Sequence, residues 1–172
     1  MASMKGQAIP LDFMVGLFIF LILLAYFIVL WNIFSENYSS HSERVERELS
    51  AIVLSDQLVS HTGSPENWTE SPENANSIGL AIRPGVLDSN KLCALFGMQY
   101  GIDNCTSAGL QYGYAKSIFG LDKDFFVKVE SPDGVLFATM GEQPENASRA
   151  AEVTRIAMLD GSAVFLKVQV YD

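Results

Sequence analysis

The sequence predicts an α+β protein: one long N-terminal transmembrane and amphipathic helix packed on a small antiparallel β-sheet. Three observations carry that reading. Residues 13–31 form an unbroken run of 19 without a charge or a strongly polar side chain. No Pro or Gly interrupts the chain between Leu17 and His61, so a helix begun in the apolar run has no breaker before it leaves it. The last third alternates apolar and polar residues between turn signals, the period of half-buried strands.

The first element is the apolar run itself. At about 1.5 Å per residue it spans roughly 29 Å, close to the ~30 Å hydrocarbon thickness of a bilayer. Membrane lipid is therefore the first partner expected. Lys5 precedes the run, Asp12 stands at its start, and after it Glu36 comes before any Lys or Arg, the first being Arg44. That bias puts the N-terminus in the cytoplasm and the larger domain outside. Tyr26 and Trp31 suit the outer interface, where an aromatic ring meets both lipid and water.

From residue 35 to residue 60 the chain turns amphipathic. Val45, Leu49, Ile52 and Val59 recur at helical spacing and are expected to face the core. Glu43 lies four residues before Arg47, the favourable order for an ion pair worth only ~0.3–0.5 kcal/mol. One helix is expected from residue 11 to residue 60, about 75 Å long. Ile52, Val53 and Leu54 are apolar on adjacent faces, wider than one packing stripe needs. Cover from two sides is implied, one from the chain's own domain and the other from a neighbouring subunit.

Residues 61–77, rich in Pro, Asn, Ser and Glu, end the helix as a loop. A short strand is expected over 78–82. Asp88 or Ser89 caps a short helix over 91–98, and a further helical turn lies near 112–119. Strands over 125–130 and 135–140 flank Ser131-Pro132-Asp133-Gly134, a turn with Pro and Gly where turn geometry favours them. Strands over 153–159 and 162–171 meet at Asp160-Gly161, a strong two-residue hairpin signal. In the last strand Val164, Leu166, Val168 and Val170 share one face, so the four strands read as an antiparallel meander with one side buried.

The net charge of −9 falls almost wholly after residue 34, because Lys5 and Asp12 cancel. An acidic outer domain argues against nucleic acid as a partner. Four of the eight asparagines, Asn37, Asn67, Asn104 and Asn146, stand in N-glycosylation sequons, where chance gives about one. Cys93 and Cys105 either pair as a local disulfide in an oxidising space or stand as one buried and one exposed thiol. His41 and His61 have no second ligand at metal spacing, no glycine fingerprint for phosphate is present, and no loop alternates oxygen ligands as calcium requires. No cofactor, no metal and no enzymatic activity are expected.

Lys5-Gly6-Gln7 ahead of a carboxylate and a long apolar helix resembles the class III signal peptide of type IV pilin-like proteins, the archaeal group in particular. The loop Gly63-x-Pro65-x-Asn67-Trp68 followed by residues 78–81 also looks like an element of archaeal pilin-like heads. Two positions depart from the archaeal pattern: Ile9 replaces a small hydroxyl residue, and Leu11 holds the place of a glutamate, with Asp12 one later. The resemblance implies cleavage after Gly6 by a prepilin peptidase, so that Gln7 begins the mature chain. The domains then read as a leader (1–6), a transmembrane half-helix (7–34), an amphipathic half-helix (35–60) and an extracellular globular head (61–172). The implied partners are like subunits in a filament, an assembly ATPase and a membrane platform protein.

Asp12 is the side chain of most interest. Cleavage would expose an amine on Gln7 with a reference pKa near ~7.7–8.0. A carboxylate carried unpaired into a bundle of apolar helices costs several kcal/mol, and pairing with that amine on a neighbour removes the cost and sets register. The plainer role is a first-turn acid after Pro10, favoured by the helix dipole at the headgroup boundary. The expected function is a structural subunit, pilin or pseudopilin, of a cell-surface filament. The alternative is an uncleaved single-pass membrane protein with an extracellular ligand-binding domain.

Overall fold

Helix α1 (Ala8–Ser60) accounts for nearly a third of the chain. The computed structural model describes residues 8–97, 105, 108–144 and 150–172, with the side chains of 8–11 and 36–41 outside that description. Contacts divide the chain into two units, Met1–Glu43 and Arg44–Asp172, which are taken separately below. The chain is α+β, and its main sheet is mixed.

In the C-terminal unit, α1 is followed by β1 (Gly63–Ser64), two 3₁₀ turns, β2 (Ser77–Ile78), β3 (Ala81–Arg83) and β4 (Val86–Leu87). Then come α2 (Ser89–Phe96), α3 (Tyr112–Phe119), β5 (Asp124–Glu130), β6 (Leu136–Met140), β7 (Ala151–Leu159) and β8 (Ser162–Tyr171). The strand expected over 78–82 is two pieces, since Gly79 and Leu80 turn the chain between β2 and β3. Asp88 caps α2, its carboxylate accepting from the Asn90 N–H at 2.8 Å.

The sheet order is β3-β4-β7-β8-β5-β6, which corrects the expected meander. Short turns force neighbours to pair: β5 with β6 through residues 131–135, and β7 with β8 through Asp160-Gly161. The connection over 141–150 is long enough to carry the chain past β5, so β8 enters between β7 and β5. β4 adds in parallel to the end of β7, with Val86 opposite Met158 and Leu87 opposite Leu159. That pair makes the sheet mixed rather than antiparallel.

One face of this sheet is dry. Phe125, Val127 and Val129 of β5 and Val164, Leu166, Val168 and Val170 of β8 are fully or almost fully buried. They share a core with Ala51, Leu54 and Leu58 of α1 and Leu92 and Leu95 of α2. The buried stripe of α1 is thus not the expected one. Val45, Leu49 and Ile52 are 40–56% exposed, and of the four expected residues only Val59 is buried. The spacing 51-54-58 with Ser55 gives the same helical period, but small Ala51 and Ser55 sit against the sheet, where close approach matters more than side-chain bulk.

The loop after α1 is built around Trp68. Its ring is fully buried, and its indole N–H donates to the Gly79 carbonyl at 3.1 Å. Gly63 has φ +88°, and a Cβ there would lie 2.5 Å from the Trp68 ring. A Cβ on Gly79 would lie 2.1 Å from the His61 carbonyl oxygen. Gly79→Ala is therefore expected to destabilise the C-terminal unit by about 1–3 kcal/mol. Gly113→Ala, in the open on α3, is expected to stabilise it by about 0.5–1 kcal/mol. Urea denaturation of the full chain in detergent, followed by Trp fluorescence, checks both signs.

Candidate functional site

The N-terminal unit offers one chemical feature, apolar helix surface. Asp12–Ser35 is a 24-residue stretch with mean hydropathy 3.0 and nothing buried, long and apolar enough to cross a membrane. Phe27 and Trp31, one turn apart, hold their rings 6.3 Å apart near its C-terminal end. Asp12 is exposed and bonds to no described residue. Lys5, Gly6 and Gln7 lie outside the described residues, as do Asn104, Asn146 and the Asn37 side chain.

In the C-terminal unit, α1 leaves an apolar patch exposed on its outer side. Val45, Leu49, Ile52 and Val53 are 40–61% exposed, although Ala51, Leu54 and Leu58 on the opposite side fill the core. On the flank toward β7, two clefts of about 750 and 480 Å³ meet at Ile52. The larger also takes in Asp56, Gln57, His61 and Arg155, and the smaller Arg44, Glu48 and Val153. Among the described residues no group of three or more His, Cys, Asp or Glu side chains could hold a metal ion.

Comparison with family models, with curated proteins and with solved structures finds no match for this chain. The candidate site therefore rests on residues and geometry alone.

A disulfide joins Cys93, on α2, to Cys105 across a separation of 12 residues. Asn67 is exposed, its amide donating to the Glu70 carboxylate at 3.1 Å, whereas Trp68 in the same sequon is in the core. Three polar features have no local sequence signal. Lys91 is buried, and its ammonium donates to the carbonyls of Thr62 at 2.7 Å and Ala81 at 3.1 Å, tying α2 to the end of α1. Arg155 lies on the inner face of β7, its Nε donating to the Ser55 hydroxyl at 3.2 Å. Asp172 bridges Arg47 of α1 and Lys123 ahead of β5. In each the partners are far apart in sequence, so only the fold brings them together.

The ion pairs set a pH response. The Lys116 ammonium, with the Tyr112 hydroxyl, holds the Asp124 carboxyl below its usual range. Lys128 and Lys167 lower Glu130, and Lys123 with Arg47 lowers Asp172. Burial and the Asp124 carboxylate push Tyr112 up to about 12, although the Phe125 N–H opposes them. A carboxyl whose folded pKa is depressed stabilises the fold above its unfolded pKa, and that contribution is lost as pH falls through the folded value. Stability is therefore expected to be flat near neutrality and to drop as pH falls below about 4. Lys116→Met should shrink the acid-side drop. Urea midpoints between pH 7 and pH 2 check this, and an unchanged acid slope in that variant would count against the assignment.

Proposed function

We propose that the chain is a structural subunit of a type IV pilin-like surface filament, held first in the membrane and then in the filament by its apolar N-terminal helix. The observation that carries this reading is where the apolar surface stops. Residues 12–35 supply a full membrane length, yet beyond the polar stretch 35–44 the C-terminal unit leaves a second apolar patch, Val45, Leu49, Ile52 and Val53, exposed on α1. An anchor needs no apolar face beyond the bilayer, and contiguous apolar surface left in water marks an interface. Like subunits with the same face supply that cover.

In this reading the prepilin peptidase cuts after Gly6, and the C-terminal domain stands outside the cell. An assembly ATPase and platform protein then lift the subunit from the lipid. Asp12 takes the new Gln7 amine of a neighbour as its partner, which removes the cost of a bare carboxylate among apolar helices and fixes axial register. The runner-up, an uncleaved anchor with an extracellular binding domain, draws on the same 24-residue span and on the clefts between α1 and β7.

N-terminal sequencing of the mature protein separates the two, with Gln7 as first residue for the subunit and an intact leader for the anchor. Asp12→Ala is expected to leave membrane insertion intact and to lower filament incorporation at least tenfold, since stranding a buried partner costs about 3–5 kcal/mol. Leu49→Glu with Val53→Glu should do the same without touching the membrane segment. Quantitative immunoblotting of membrane and sheared-filament fractions reads both, and normal filament yield from either variant counts against the role given to that site.

A further inference from the structure

Among the described residues, no strand pairs with the edge of β7 away from β8 upstream of Met158. Leu159 and Ser162 close the two-residue turn, with Asp160 and Gly161 both at positive φ, so they form a hydrogen-bonded pair. That phase directs the backbone groups of odd-numbered β7 residues toward β8 and those of even-numbered residues away from it. The Met158 N–H confirms the phase by donating to Gly85, on the side away from β8, at 2.8 Å. β4 pairs only with Met158 and Leu159. Upstream, the N–H and C=O groups of Glu152, Thr154 and Ile156 point along an edge where no described strand lies.

The surroundings of that edge are shaped for an extended chain. On β7 the smaller cleft is lined by Ala151, Glu152 and Val153 and the larger by Arg155, with Ile52 of α1 as their shared apolar wall. Arg155 is half-buried on the inner face and forms no ion pair with a described residue; among the described residues its guanidinium bonds through Nε, to Ser55. Asp56, across the same cleft, accepts from the Ser60 hydroxyl instead.

We propose that this edge receives an extended polypeptide segment, which joins the sheet as one more strand beside β7. Its carboxylate lies opposite Arg155 and its apolar side chain opposite Val153, against Ile52. Main-chain bonds to Glu152, Thr154 and Ile156 hold the segment, and the Arg155 guanidinium selects it. The β7 edge of a second copy does not fit, because Ala151, Val153, Arg155, Ala157 and Leu159 put no carboxylate on the inner face. This proposal rests on the β7 edge and Arg155 and not on filament assembly, although Ile52 belongs to both surfaces.

The test uses the full-length protein in detergent micelles. The probes are the capped peptide Val-Glu-Thr-Val-Thr and its reverse sequence, for antiparallel and parallel addition. One of them is expected to slow amide exchange at Glu152, Thr154 and Ile156. Replacing its Glu by Lys should weaken binding about tenfold, the size of one charge-assisted pair. N-methylation of the residues whose N–H groups face β7, the first, third and fifth of the antiparallel probe or the second and fourth of the parallel one, should abolish binding. Arg155→Glu should reverse the Glu/Lys preference, and Arg155→Gln, which keeps the Ser55 bond within reach, should remove it. The proposal fails if neither peptide protects those amides, if the N-methylated peptide binds as well, or if the Arg155 variants keep the wild-type preference. Protection that rises with protein concentration and without peptide assigns the edge to a second copy and overturns the partner named here.

Discussion

The packing of Ala51, Leu54 and Leu58 against the dry face of the sheet is the contact on which the C-terminal unit depends. These residues share one core with β5, β8 and α2, and the polar ties of the unit gather around the same helix. Lys91 reaches the carbonyl just past the end of α1, Arg155 reaches Ser55, and Asp172 reaches Arg47. Once that side of α1 is used, its remaining apolar residues must face outward.

Those outward residues link fold to function. In the proposed filament reading, the apolar sides of α1 serve lipid along residues 12–35 and a protein neighbour along residues 45–53. The polar chemistry of the C-terminal unit is of a different kind. Ammonium and guanidinium groups there meet backbone carbonyls, carboxylates or a hydroxyl, and so tie one element to another. Two surfaces are left with unmet demand, the apolar side of α1 and the open edge of β7. One asks for apolar area, the other for backbone hydrogen bonds and a negative charge.

Several features were legible in the chain from local rules. Asp160-Gly161 fixed the last hairpin, because positive φ at both central positions suits few residue pairs. Of the two candidate caps, Asp88 and Ser89, the structure uses Asp88 and starts α2 at Ser89, two residues before the expected span, whereas the alternation from Val164 to Val170 marked which side of β8 is dry. Strand order was not legible, since the ten residues between β6 and β7 constrain closure too weakly to choose a neighbour. The buried stripe of α1 was misread for a related reason: Val45, Leu49 and Ile52 outrank Ala51 and Ser55 in hydrophobicity, but the sheet favours small residues at the point of contact. Arg155 and Lys91 gave no signal at all, as their partners are 100 and 29 residues away.

By itself the sequence determined the apolar membrane-length helix, the α+β class, the acidic charge of the chain after residue 34 and the positions of the tight turns. Each follows from short-range physics: hydrophobic period, helix length, backbone angles and formal charge. Only the tertiary structure decided which side of α1 is spent on its own core, where β8 and β4 enter the sheet, and which edge of β7 stays open. These depend on contacts between residues far apart along the chain, where loop closure leaves many arrangements open and packing selects one.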